Sequence, residues 1–225
     1  MEKQISCLLS LFLLCLPVVS GATEHALGGK TSRSLVAGRL SVCVYCGASD
    51  LAEAKYAATA RQLGAELAAR QWTLVWGGSR TGLMGAVARG AKESGGRVVG
   101  VLPEFIQKWE VAYKEADEMM VVTTMAERKM LLQARSDVFV ILPGGVGTLD
   151  EIGDTLDLKN LSQHHKPIIL LNQDGYYDTL LAFLDHSIAE KFSKREARAQ
   201  LMVVRTLDEV ISALAEIERG SGVSP

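Results

Sequence analysis

Short runs of valine, isoleucine and leucine recur along this chain, each followed by a helical pattern, and that alternation limits its fold more than any other feature. The runs are "LSVCVYC" (40–46), "WTLVW" (72–76), "RVVGVL" (97–102), "DVFVIL" (137–142), "KPIILL" (166–171) and "LMVV" (201–204), and "EMMVVTT" (118–124) reads as a further short strand. Apolar residues occupy consecutive rather than alternate positions, so both faces of each strand are buried, as in a parallel sheet covered by helices on its two sides. Right-handed crossovers then make the fold α/β, a doubly wound, mostly parallel, Rossmann-like sheet with helices on both faces. Helices are expected from Ser49 or Asp50 to about Arg70, from near Leu83 to about Ser94, over 125–136, over 148–161 beginning at Thr148, from about Tyr177 to Glu190, and from about Leu207 to Glu218. Such sheets bind ligands at the carboxyl ends of their strands, near the point where strand order reverses.

The flanks differ in character. Residues 1–22 hold Lys3, an apolar run from about Ile5 to Val19, and the small residues Ser20 and Ala22 ahead of Thr23, which is the layout of a secretory signal peptide. The run is short for a membrane span. An uncleaved anchor and an upstream start codon are the other readings of the same residues. A cleaved signal implies an exported protein with no stable membrane association after processing, whereas a start-site artefact implies a cytoplasmic one. Residues 23–39 read as a polar linker, 40–219 as one domain and 220–225 as a frayed tail. Hydrophobic residues make up 48% of the 225, enough for a single full core.

A formal net charge of −2, with no long basic run, argues against a nucleic-acid partner. An anionic ligand must then be held locally, by helix N-termini, backbone N–H groups and single Arg or Lys residues. Cys43 and Cys46 spell C-x-x-C, but they lie inside a strand-like run, where residues three apart point to opposite faces. A redox pair needs its first cysteine at a helix start, so these two read as small core residues. No His, Cys or Asp cluster has metal-ligand spacing, and the adjacent His164 and His165 read as solvated loop residues; neither metal nor cofactor is expected.

Three stretches carry chemistry. "PGGVGTLDE" (143–151) follows a strand, and Gly144, Gly145 and Gly147 permit close backbone approach while Thr148 stands at a helix start where exposed N–H groups favour an anion. It is not a P-loop, since no G-K-[ST] follows. "GGSRTGLMG" (77–85) has a similar design, with Gly77 and Gly78 turning the chain and Gly82 and Gly85 allowing close packing, so two glycine-rich helix starts are expected to grip one phosphate-bearing ligand. "MAERKM" (125–130) offers Arg128 and Lys129 as countercharge. Each has a plainer reading: tight strand-to-helix turns without a ligand, and a solvated charged face. Asp150 and Glu151 pose a puzzle, because two carboxylates beside a phosphate should repel it. Either they complement the helix dipole, or Glu151 faces a sugar, where a carboxylate stabilises the positive charge that develops as a glycosidic bond breaks.

These stretches resemble the motifs of the Lonely Guy (LOG) family of phosphoribohydrolases: "PGGVGTLDE" is similar to its PGGxGTxxE, "MAERK" to its M-x-x-R-K, and "GGSRTGLMG" to its GGGxxGLMG. "SVCVYCGAS" and "NQDGYYDTLLAFLD" resemble its first strand and late helix, so the likeness covers about residues 40–215. The resemblance implies a Rossmann-like homodimer that hydrolyses the N-glycosidic bond of cytokinin riboside 5′-monophosphates, and AMP as well, to free base and ribose 5-phosphate. It implies Arg128 and Glu151 as the catalytic pair, and Lys129, Gly144, Gly145, Val146, Gly147, Thr148 and Asp150 as the lining of the nucleotide site. Glu110 in "KWEVAY" takes the place of a substrate-contacting acid. Around Met84 and Met130, apolar stretches are candidates for the dimer contact. The family's older label, lysine decarboxylase, finds no counterpart in a pyridoxal-phosphate site. Two positions depart from the pattern: Ser79 replaces the third glycine of the first loop, and Asp150 stands where plant members usually carry Glu. The alternatives are a plain AMP nucleosidase and a non-catalytic nucleotide-binding module of the same fold.

Overall fold

In the computed structural model, which describes residues 39–107 and 112–220, the apolar runs become seven strands of one sheet. The expected signal peptide, nearly all of the linker, residues 221–225 and Glu110 lie outside the described residues. In chain order the elements are β1 (Ser41–Tyr45), α1 (Ala54–Ala69), β2 (Thr73–Trp76), α2 (Gly82–Glu93), β3 (Val98–Pro103), α3 (Glu104–Gln107), β4 (Glu118–Val122) and α4 (Met125–Ala134). There follow β5 (Val138–Ile141), α5 (Val146–Asn160), β6 (Ile168–Leu171), α6 (Asp178–Ala189), α7 (Arg195–Ala199), β7 (Leu201–Val204) and α8 (Leu207–Gly220). The strand order is β4-β3-β2-β1-β5-β6-β7, and every neighbouring pair is parallel.

This is the doubly wound sheet that the apolar runs require. The chain winds outward from β1 to β4, crosses back through α4, and winds the other way from β5 to β7. Alternate residues of each strand feed two cores. Val42, Val44, Leu74, Trp76, Val138 and Val140 pack under α1, α2 and α8, while Tyr45, Val75, Val101, Phe139 and Ile141 pack under α4, α5 and α6. Cys46 belongs to the first core and Cys43 to the second, both as free thiols, and burial pushes the Cys43 thiol up to about 12. They are core residues on opposite faces, not a redox pair.

Two helix boundaries, two short helices and one loop residue depart from the sequence expectation, each for a physical reason. α1 begins at Ala54 rather than after Ser49 or Asp50, because both side chains are engaged elsewhere: Ser49 Oγ accepts from Leu51 N–H (3.2 Å) and Asp50 Oδ1 accepts from Gly82 N–H (2.7 Å). α5 begins at Val146 with Gly145 as its N-cap, so Thr148 lies inside the first turn and is buried. α3 and α7 are single turns too short to carry a periodic signal. His164 is not a solvated loop residue: its Nε2 lies 2.9 Å from Thr155 O and its ring leans on Phe139. Among the described residues no helix is long and apolar enough to cross a membrane.

Candidate active site

The reversal of strand order falls between β1 and β5, so the crevice expected of this topology opens beyond Tyr45 and Ile141. Gly47 ties the loops around it. Its N–H donates to Pro143 O (3.0 Å), and its carbonyl accepts from Leu83 N–H (3.0 Å) and Met84 N–H (3.3 Å). A cleft of about 360 Å³ lies there, lined by Leu51, Tyr56, Pro143 to Gly145 and Tyr176.

The two glycine-rich helix starts are not equivalent. At α5 the first intrahelical bond runs from Leu149 N–H to Gly145 O (3.0 Å), which leaves the N–H groups of Val146, Gly147 and Thr148 ahead of it without helical acceptors. A Cβ on Gly145 or Gly147 would meet nothing within 4 Å, so neither glycine is required by the chain itself. Gly144 is required: a Cβ there would overlap the Thr148 hydroxyl packed beneath it. At α2 the corresponding donors are consumed internally, Gly82 N–H by Asp50 and those of Leu83 and Met84 by Gly47. The expectation that both helix starts grip the ligand is therefore corrected. Only α5 presents open donors, and α2 braces the loop in front of it.

Gly77 also has a different task from turning the chain, which falls to Gly78 at φ +77. A Cβ at Gly77 would collide with the Arg128 guanidinium. That guanidinium comes from α4, whose start is fixed by a capping box between Thr124 and Glu127. Arg128 is only 5% exposed; its Nε donates to Val101 O (3.2 Å) and its Nη1 to Glu151 Oε1 (2.7 Å). Glu151, 4% exposed, lies one turn into α5. Burial raises its pKa, and the charge and hydrogen bond of Arg128 oppose that rise.

One residue later on α4 and one earlier on α5, the pattern repeats at the surface. Lys129 Nζ reaches Asp150 Oδ1 (2.8 Å) and Asp154 Oδ1 (3.3 Å), and the hydrogen bond to Asp150 raises its pKa. The adjacent cations of α4 thus meet the adjacent carboxylates of α5 in register. This answers the puzzle of two acids beside an anion site, because each negative charge is already matched. It also shows that Asp150, for all its short side chain, reaches Lys129.

The structure therefore gathers Arg128, Lys129, Gly144, Gly145, Val146, Gly147, Thr148, Asp150 and Glu151 around the start of α5. Glu110 lies outside the described residues. Ser79, in place of a glycine, closes its loop by accepting from Thr81 N–H (3.2 Å) through Oγ. Residues not singled out in the sequence also shape the site: Asp50 and Gly47, which join the loops, and Tyr176 and Tyr177, whose hydroxyls donate to Gly144 O (2.8 Å) and Leu142 O (2.7 Å). The adjacent tyrosines after "NQDG" were the available signal.

A family profile described as "Possible lysine decarboxylase" matches residues 84–214. The chain is 41% identical over 180 residues to a cytokinin riboside 5′-monophosphate phosphoribohydrolase of Mycobacterium tuberculosis, covering 80% of this chain and 96% of that protein. It is 38% identical over 175 residues to one from Arabidopsis thaliana, covering 78% of this chain and 81% of that protein. Among solved structures, the molybdenum cofactor binding protein of Rippkaea orientalis matches with a TM-score of 0.62 at 27% identity, over 80% of this chain and 98% of that one.

The open space at Gly147 yields a test. Gly147→Ala meets no steric obstacle and gains helix propensity, so it should leave stability unchanged or raise it by up to about 1 kcal/mol. Its methyl group intrudes where an anion would approach the N–H groups, so binding of inorganic phosphate should weaken. Thermal melting and calorimetric titration of the variant check both; a destabilised variant that binds phosphate normally would contradict the assignment.

Proposed function

This chain belongs to the Lonely Guy family of cytokinin riboside 5′-monophosphate phosphoribohydrolases, and from that premise we infer that it hydrolyses the N-glycosidic bond of such nucleotides, and of AMP, to free base and ribose 5-phosphate. The observation that carries the reading is the buried Arg128–Glu151 pair one helical turn behind the open N–H groups of α5. A nucleotide whose 5′-phosphate rests on Val146, Gly147 and Thr148 brings its ribose toward Glu151. As the bond from C1′ to the base nitrogen breaks, the base leaves with the bonding electrons and takes up a proton from solvent, and positive charge gathers on the sugar. Ionised Glu151 stabilises that charge and accepts a proton from the water that adds to C1′. The charge and hydrogen bond of Arg128 favour the ionised carboxylate against the effect of its burial, and aim it. Lys129 and Asp150 flank the phosphate, and Gly144 sets the turn that delivers α5.

Lysine decarboxylation, the activity in the family profile's description, is not favoured by Lys129. An amine that forms a Schiff base needs a lowered pKa, whereas two carboxylates hold Lys129 charged. A second reading, a module that binds a nucleotide without cleaving it, draws support from the likeness to the Rippkaea orientalis protein. Such a module has no use for a buried carboxylate behind the phosphate site, and the same assay separates the two. Purified protein should release base from AMP and from isopentenyladenosine monophosphate. It should favour AMP over adenosine by about a hundredfold or more in kcat/KM, since two charge-assisted hydrogen bonds to a phosphate are worth roughly 3 kcal/mol or more. Equal turnover of AMP and adenosine would defeat the reading, and tight AMP binding without base release would favour the module.

The working form we propose is a homodimer joined through the outer faces of α4 and α5. Met130 (61% exposed), Leu149 and Leu161 present apolar surface there, and Gly153 leaves open space in the middle of α5, where a glycine otherwise costs stability. A second copy of this helix pair would cover these apolar side chains. Met84, by contrast, packs against the first core. In light scattering the protein should have the mass of two chains, and a Met130→Glu, Leu149→Glu double variant that of one. A fully active wild-type monomer would overturn the shared interface.

A further inference from the structure

Two adjacent tyrosines pin the turn that leads into α5, and the hydrolytic mechanism gives neither of them a task. β6 ends at Leu171, and after Asn172 a single 3-10 turn (Gln173–Gly175) carries the chain on, with Asp174 and Gly175 at positive φ. Asn172 Oδ1 accepts from Tyr177 N–H (2.7 Å) and its Nδ2 donates to Asp178 (2.7 Å), which fixes the approach. Tyr177 is buried and donates to Leu142 O; Tyr176 stands at the surface and donates to Gly144 O. The Tyr176 ring is held edge-on by Tyr177, with centroids 5.0 Å apart, and by Tyr56 of α1 at 5.7 Å.

The two hydroxyls do different things. The Leu142 carbonyl beneath Tyr177 is sealed from water, so that hydrogen bond belongs to the fold. The Gly144 carbonyl lies under a tyrosine that is 41% exposed, where water can take the place of the hydroxyl, so the fold gains little from this second bond. What the bond does fix is direction. Gly144 C=O and Gly145 N–H belong to one peptide plane, and no described peptide is cis, so the two groups point in opposite senses. Holding the carbonyl toward Tyr176 therefore fixes the direction of the Gly145 N–H, which immediately precedes the open donors of Val146, Gly147 and Thr148 in the chain. Neither Gly144 nor Gly145 has a side chain to do this, so the restraint must come from outside the turn.

We propose that Tyr176 is a positioning residue for the substrate's 5′-phosphate, which acts by orienting the Gly144–Gly145 peptide through its hydroxyl. The proposal rests on the hydrolytic reading of the site, in that it assigns the anion at α5 to a nucleotide phosphate. It separates the phosphate-binding geometry from the bond-breaking pair, since Tyr176 has no contact with Arg128 or Glu151. Its consequence is a defect confined to affinity for phosphorylated ligands.

The test compares full-length wild type with Tyr176→Phe, which keeps both ring contacts and removes only the hydroxyl. Titrations use AMP, ribose 5-phosphate and adenosine, with single-turnover base release and a thermal melt of the ligand-free protein alongside. Affinity for AMP and for ribose 5-phosphate should each fall about five- to tenfold, the worth of one hydrogen bond to a backbone carbonyl. Adenosine affinity, the saturating single-turnover rate and the melting temperature should not change. Undiminished affinity for AMP overturns the proposal, as does a parallel loss of adenosine affinity. A matching fall in melting temperature does so too, because it would make Tyr176 a structural residue like Tyr177. Failure of wild type to release base from AMP counts against hydrolysis alone and leaves the affinity comparison to decide the role of Tyr176; failure of wild type to bind ribose 5-phosphate overturns both.

Discussion

The buried ion pair between Arg128 and Glu151 is the interaction on which the remainder of the site depends. Two charges this far from water are costly to hold, and their attraction repays the cost only where further hydrogen bonds satisfy the remaining atoms. Several features of the sequence answer to that demand. The carbonyl of Val101 takes the guanidinium Nε, Gly77 gives up a side chain so that the guanidinium fits, and the Thr124–Glu127 capping box fixes where α4 begins. The surface pairing of Lys129 with Asp150 and Asp154 repeats the register and locks α4 against α5. Removing one partner of such a buried pair typically costs about 3–5 kcal/mol.

Topology decides where that pair can act. Because the chain reverses its winding between β1 and β5, the loops after those strands diverge and leave a cleft that no helix fills. The two glycine-rich turns share this location but divide the labour. One is closed upon Asp50 and Gly47 and serves as a brace, and the other keeps its N–H groups open. An anion placed at α5 would lie over a helix start whose dipole favours it, with the nearby carboxylates matched by the cations of α4.

Much of this architecture was legible in the sequence, because consecutive apolar residues leave a strand few alternatives to the middle of a parallel sheet. The gathering of the residues from Arg128 to Glu151 at one helix start was legible as well, since glycine, threonine and charge at fixed spacing follow local rules that survive folding. What the sequence hid was long-range partnership. Nothing local distinguishes Gly77, which accommodates a side chain from another element, from Gly78, which bends the chain. Asp50 looks like a helix cap until Gly82 is brought beside it, and His164 looks solvated until Phe139 and Thr155 pack against it. The same limit applied to the paired glycine loops: equal in composition, they differ only in which donors the fold consumes.

The central claim is that Glu151 acts on the sugar while α5's N–H groups bind the phosphate, and the Glu151→Gln variant separates the two most directly. Amide for carboxylate keeps the shape and an acceptor for Arg128 but removes the charge, and a thermal melt establishes that the variant is folded. AMP affinity and single-turnover base release are then measured on the same preparation. Affinity should be retained or slightly improved, while the rate falls by about 10²–10⁴. A loss of affinity in proportion to the loss of rate would make Glu151 a binding or structural residue and contradict the account.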